Sequence, residues 1–140
     1  MKEMEYGNNK FEILDKGNYK GKDYVILNMR GSHPCAYVQS NINYYDREKY
    51  PGYDEPAHCG FTFYNTLSHW QYKVNLDEET KKLFNKYFVG WDYGHFGDYT
   101  APFFDYPEEL LSTEDKKWTT KEILDNVKEV IEWMIGKESK

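Results

Sequence analysis

The stretch from Asp23 to Met29 constrains the fold more than any other part of the chain. Its alternation is apolar on both sides, with Tyr24 and Ile26 on one and Val25, Leu27 and Met29 on the other. A strand of this kind must be covered on both faces, so it belongs inside a sheet that carries a layer on each side. One of those layers is legible at the C-terminus. Ile123, Leu124, Val127, Val130, Ile131, Met134 and Ile135 fall on one stripe at helical spacing. Thr119 and Glu122 have the spacing of a capping box at its start, and Gly136 is expected to stop it. This helix is expected to pack across the sheet and to carry no chemistry.

The remaining elements are shorter. Phe11 to Leu14 reads as a strand closed at Gly17-Asn18, and Cys35 to Gln39 as another after the breaks at Gly31 and Pro34. Cys59 to Tyr64 alternates well, with Phe61 and Phe63 expected in the core and His58 and Thr62 on the other face. Trp70, Tyr72 and Val74 suggest a hairpin partner. Asp77 is a good N-cap for a short helix from Glu78 to about Lys86, and Tyr87, Val89 and Trp91 restore strand period. The expectation is an α+β fold in a single domain over residues 1–140. It has a mostly antiparallel sheet, a C-terminal helix on one face and a second short helix. Residues 41–57 and 92–106 are long for connections, which often marks functional loops.

Leu, Ile, Val and Phe supply only 28 of the 140 residues, a fraction at which a charged chain borders on disorder. Twenty-six aromatic residues (14 Tyr, 8 Phe, 4 Trp) resolve this, because rings can build the core instead. A net charge of −6 disfavours an extended nucleic acid as partner. No run approaches the roughly 18 apolar residues of a membrane span. The start, Met1-Lys2-Glu3-Met4-Glu5, lacks the apolar run of a signal peptide, so the expected location is cytoplasmic. Cys35 and Cys59 are accordingly expected as thiols, and two cysteines cannot form a four-thiolate zinc site.

The rings are unevenly spread. Residues 44–64 and 87–106 hold 16 of the 26, where even spacing would give about eight. His58 and His95 lie in the same segments, and Asp92-Tyr93-Gly94-His95-Phe96-Gly97-Asp98 could fold tightly through its glycines. His58, Asp92, His95 and Asp98 could then converge. Three explanations stay open: a general acid/base set, a metal site, or turn caps and buried histidines with a structural role. The spacing matches no strong metal motif, and whether a metal or cofactor is used stays open. His33 and His69 read as surface residues. A Cys59–His58 nucleophile pair is poor on a strand, where neighbours point apart. Arg30 and Arg47 are the only arginines, and either could clamp a phosphate, although an ordinary salt bridge also accounts for each.

His58-Cys59-Gly60-Phe61-Thr62-Phe63 and Val89-Gly90-Trp91-Asp92-Tyr93-Gly94-His95-Phe96-Gly97-Asp98 resemble a group of small phage and prophage proteins. Those proteins carry patterns like His-Gly-Gly-Leu-Thr-Tyr and Gly-Phe-Asp-x-x-His-x-Gly-Asp. His58, Gly60, Thr62, Asp92, His95 and Asp98 match, while Cys59 stands where a second glycine is usual. The resemblance implies a phage context in a bacterial host cell. Small phage proteins often inhibit bacterial immunity, and some bind or destroy nucleotide second messengers.

The leading expectation is therefore a site for a nucleotide-like small molecule. His58, His95, Asp92 and Asp98 would be its chemical groups, with Thr62, Tyr45, Tyr53, Tyr93 and Arg47 contacting the ligand. Whether it binds or hydrolyses the ligand stays open. Bases stack on rings irrespective of sequence, which suits an aromatic pocket. The alternative is an acidic, tyrosine-rich inhibitor of a bacterial defence complex, anti-CRISPR-like or a DNA mimic, without catalysis. A mimic needs its acids along one face, and Asp54, Glu55, Glu108, Glu109, Glu114 and Asp115 are scattered along the chain, which slightly disfavours mimicry.

Overall fold

A computed structural model of the chain describes residues 11–29, 33–51, 54–68, 76–94 and 116–139. Five strands, β1 (Phe11–Tyr19), β2 (Lys22–Met29), β3 (His33–Gln39), β4 (Phe63–Thr66) and β5 (Tyr87–Asp92), form one sheet in the order β1-β2-β3-β5-β4. Every neighbouring pair is antiparallel. Helix α1 spans Glu78–Phe84 and α2 spans Thr120–Glu138. This is the expected α+β arrangement, with α2 packed on the sheet and α1 as the second short helix. Among the described residues, no helix is long and apolar enough to cross a membrane.

The two-sided alternation of β2 organises the interior. Tyr24 and Ile26 join Ala36, Val38, Val89 and Trp91 beneath the α2 stripe of Ile123, Val127, Val130, Ile131 and Met134. Val25 and Leu27 face the other way, against Cys35, Tyr37, Leu67, Phe88 and Phe84 of α1. Val25, Ile26 and Leu27 are fully buried. Each such side chain contributes about 1.5–3 kcal/mol through burial. Rings complete both layers: Tyr44 meets Trp133 edge-on at 5.2 Å, and Tyr37 meets Phe63 edge-on at 5.2 Å.

Three boundaries differ from the sequence expectation. The first strand does not close at Gly17-Asn18 but runs to Tyr19, and the chain reverses at Lys20 and Gly21, with φ of 51° and 91°. Gly17 stays in the strand because Tyr24 lies across it; a Cβ there would sit 2.9 Å from the Tyr24 hydroxyl. Nor does Gly136 stop α2, which continues to Glu138 with Ser139 as its C-cap. The last turn is anchored from outside: Tyr44 donates to Glu138 Oε2 at 3.1 Å and Lys22 pairs with Oε1 at 3.0 Å. That anchoring outweighs the roughly 1 kcal/mol that a helical glycine costs relative to alanine. The capping box of Thr119 and Glu122 forms as expected, as does the Asp77 cap of α1, whose side chain accepts from the Thr80 amide.

The third difference matters for the site. The strand expected over Cys59 to Tyr64 is only Phe63–Thr66. Residues before it turn: the Gly60 amide donates to the Ala57 carbonyl at 2.8 Å, and Cys59 and Gly60 have φ of 60° and 87°. His58 therefore rides on a turn. Phe61 packs beneath α2 while Phe63 packs in the opposite layer, so the two do not share a face. The expected hairpin of Trp70, Tyr72 and Val74 lies outside the described residues.

Candidate functional site

His58 projects into an aromatic group built from three separate elements. Its imidazole is parallel to the ring of Tyr93, with centroids 4.9 Å apart and planes 2° from parallel. Trp118, just before the Thr119 cap of α2, leans against both: 4.8 Å from His58 at 59° and 5.0 Å from Tyr93 at 57°. Strand alternation explains Tyr93. With Val89 and Trp91 it projects toward α2, and it is fully buried, whereas His58 and Trp118 are half-buried. Each aromatic pair adds about 0.5–1.5 kcal/mol beyond area burial.

Asn126 of α2 fastens this group. Its Oδ1 accepts from the Tyr93 hydroxyl at 2.7 Å and from the His58 amide at 3.2 Å, and its Nδ2 donates to the Pro56 carbonyl at 2.8 Å. The Tyr93 oxygen in turn accepts from Trp91 Nε1 at 3.0 Å. One amide thus fixes the His58 turn, the end of β5 and α2 together. Lys116 sets its ammonium 4.8 Å from the Trp118 ring centre and pairs with Glu122 at 2.6 Å. The result is two half-buried rings, His58 and Trp118, with a cation over the second, a combination suited to an aromatic ligand that carries negative charge. Asn126 and Trp118 were missed in the sequence. The available signals were an amide three residues after Ile123, bordering the apolar stripe, and a large ring directly before an N-cap.

The other expected site residues are placed differently. Asp92 is the cross-strand partner of Cys35 and points to the face opposite Tyr93, where its Oδ1 accepts from the Gly94 amide at 3.0 Å. His58 and Asp92 therefore lie on opposite faces of the sheet and do not converge. The reason is the strand itself: β5 continues to Asp92, so neighbouring residues alternate where a loop had been expected. His95, Asp98 and Tyr53 lie outside the described residues. Thr62 is exposed, its amide donating to the Gly90 carbonyl at 2.9 Å, and Tyr45 is exposed on a turn.

Arg47 forms a two-pronged pair with Glu55, whose Oε2 also accepts from the Phe61 amide at 2.9 Å. Arg47 Nη1 further donates to the Tyr50 carbonyl at 3.4 Å. Burial by itself would raise the Glu55 pKa, but the guanidinium and the amide donors outweigh it and hold the carboxyl below its usual value. Arg47 thus ties Tyr50 to Glu55 and, through Glu55, to Phe61, and Glu55, one of the scattered acids, is buried. Cys35 is buried in β3 and Cys59 is exposed on the turn. Among the described residues, no three His, Cys, Asp or Glu side chains gather as a metal site.

A groove of about 580 Å³ lies elsewhere, between the β1–β2 hairpin and α1, lined by Lys16, Asn18, Asp23, Glu79, Lys82 and Lys86 among others. Asp23 is already occupied there by Lys86 at 2.7 Å and Asn18 at 3.0 Å. Among the described residues, none of the expected site residues lines this groove.

No protein-family model, curated protein or solved structure matches the chain.

Proposed function

We propose that the protein binds a nucleotide-like small molecule at the His58–Tyr93–Trp118 group. The base would stack against the half-buried His58 and Trp118 rings and the phosphate would approach Lys116. The observation that carries this reading is the parallel His58–Tyr93 stack with Trp118 inclined against it, held by Asn126. Aromatic rings combined with a nearby cation are how sequence-independent base recognition is commonly built. The resemblance to phage proteins adds a candidate context, in which the ligand is a host immune signal and binding withdraws it. Retention of the ligand accounts for the geometry without a chemical step, because Asp92 does not face His58.

Calorimetric titration with a cyclic dinucleotide, a linear dinucleotide and a mononucleotide tests the reading. The wild-type chain should bind at least one of them. His58→Ala and Trp118→Ala should each weaken binding by about 1–3 kcal/mol, the range for loss of one stacking partner. Binding that neither substitution alters, or no binding to any of the three, would reject it.

A further inference from the structure

The groove between the β1–β2 hairpin and α1 is built where two periodicities meet. Lys16 and Asn18 lie opposite Val25 and Asp23 in the hairpin register. Val25 faces the α1 layer, so Lys16, Asn18 and Asp23 project to that side of the sheet. On α1, Glu79, Lys82 and Leu83 share the facing stripe at helical spacing, and Lys86 continues it past the Asn85 cap. Leu83 is half-buried against the core, whereas Lys16, Glu79 and Lys82 are exposed. The volume of about 580 Å³ falls within the usual span of small-molecule sites, roughly 300–1,000 Å³.

The charges around this groove are unequally spent. Asp23 accepts from Lys86 at 2.7 Å and from Asn18 at 3.0 Å. Burial alone would raise the pKa of its carboxyl, but those two donors hold it below its ordinary value. Asp23 and Lys86 therefore neutralise each other. Lys16, Lys82 and Glu79 are different: among the described residues none of them forms an ion pair. Two uncommitted ammonium groups suit a phosphate, which carries close to two negative charges at neutral pH. Glu79, one turn before Lys82, accepts from hydroxyl donors and repels further negative charge, and Asn18 Nδ2 has a second proton to donate. We propose that this groove binds a small polyol carrying one phosphate, such as a sugar phosphate, with the phosphate on Lys16 and Lys82 and the hydroxyls on Glu79 and Asn18. The site lies on the α1 face of the sheet, and the His58 group lies on the α2 face.

NMR titration of the ¹⁵N-labelled full-length protein with glucose 6-phosphate, glucose and inorganic phosphate provides the test. Glucose 6-phosphate should shift the Leu83 amide and the Asn18 side-chain amide to saturation, and leave the Trp118 indole N–H in place. It should bind about tenfold more tightly than inorganic phosphate, the gain from one or two added hydrogen bonds. Glucose alone should leave the groove unshifted. Lys16→Gln and Lys82→Gln should each weaken binding about fivefold, the loss of one exposed charge contact. Glu79→Gln should weaken glucose 6-phosphate but tighten inorganic phosphate, a split that a merely structural role would not produce. An unshifted groove would overturn the proposal. So would equal affinity for glucose 6-phosphate and inorganic phosphate, or wild-type affinity in both lysine variants.

Discussion

The imidazole of His58 lies 4.9 Å from the phenol ring of Tyr93 and within 2° of parallel to it, although the two come from a turn and a strand end 35 residues apart. What holds them in register is a third residue, Asn126, bonded to both. The platform is therefore a tertiary product, and its stability should depend on that amide more than on either ring's own segment.

Asn126→Ala tests this dependence. It leaves the Tyr93 hydroxyl and the Pro56 carbonyl without the amide that joins them. Loss of about 1–3 kcal/mol is expected, the cost of leaving a buried polar group unsatisfied. Urea denaturation measures it, and a change below about 0.5 kcal/mol would mean that the turn and strand end are held by other contacts.

The Arg47–Glu55 pair gives a pH signature. The folded Glu55 pKa lies below its unfolded value, so its contribution is present above the unfolded pKa and is lost as pH falls through the folded one. Arg47→Ala leaves the buried carboxylate uncompensated and should cost about 3–5 kcal/mol at neutral pH. In that variant burial dominates and the Glu55 pKa rises, so acid relieves the penalty. Denaturation followed from pH 7 toward about pH 4 should show the wild-type and variant stabilities converging. A constant gap would contradict the assignment.

Two glycines should respond with opposite signs. Gly90→Ala drives a Cβ to 2.6 Å from the Tyr37 ring in the middle of β5, and about 1–3 kcal/mol of destabilisation is expected. Gly136→Ala meets nothing within 4 Å in a helical turn and should stabilise by up to about 1 kcal/mol. Thermal melts of the two variants read both effects, and a shared sign would be the wrong result.

Much of the scaffold was legible because it rests on local periodicity. The two-sided pattern of Tyr24 to Leu27 required an interior strand, and the stripe from Ile123 to Met134 with its Thr119 cap required a covering helix. The site was less legible, for physical reasons. Cys59, Phe61 and Phe63 imitate strand alternation, and nothing in those letters announces that Cys59 adopts a positive φ at 60°. Asp92 was grouped with His58 because β5 was expected to end sooner; one further residue of strand sends it to the other face. That Cys35 stands across from Asp92, and that Asn126 reaches Tyr93, depends on pairing between distant segments, which a single sequence does not display.

The central claim, that a ligand stacks on His58 and Trp118, is tested most directly by NMR titration of the protein with a nucleotide. The Trp118 indole N–H and the His58 Cε1–H resonances should move together and saturate with one affinity, shifted by the ring current of the stacked base. Stationary resonances at both residues, with shifts confined to the Lys16, Lys82 and Lys86 groove, would contradict the account.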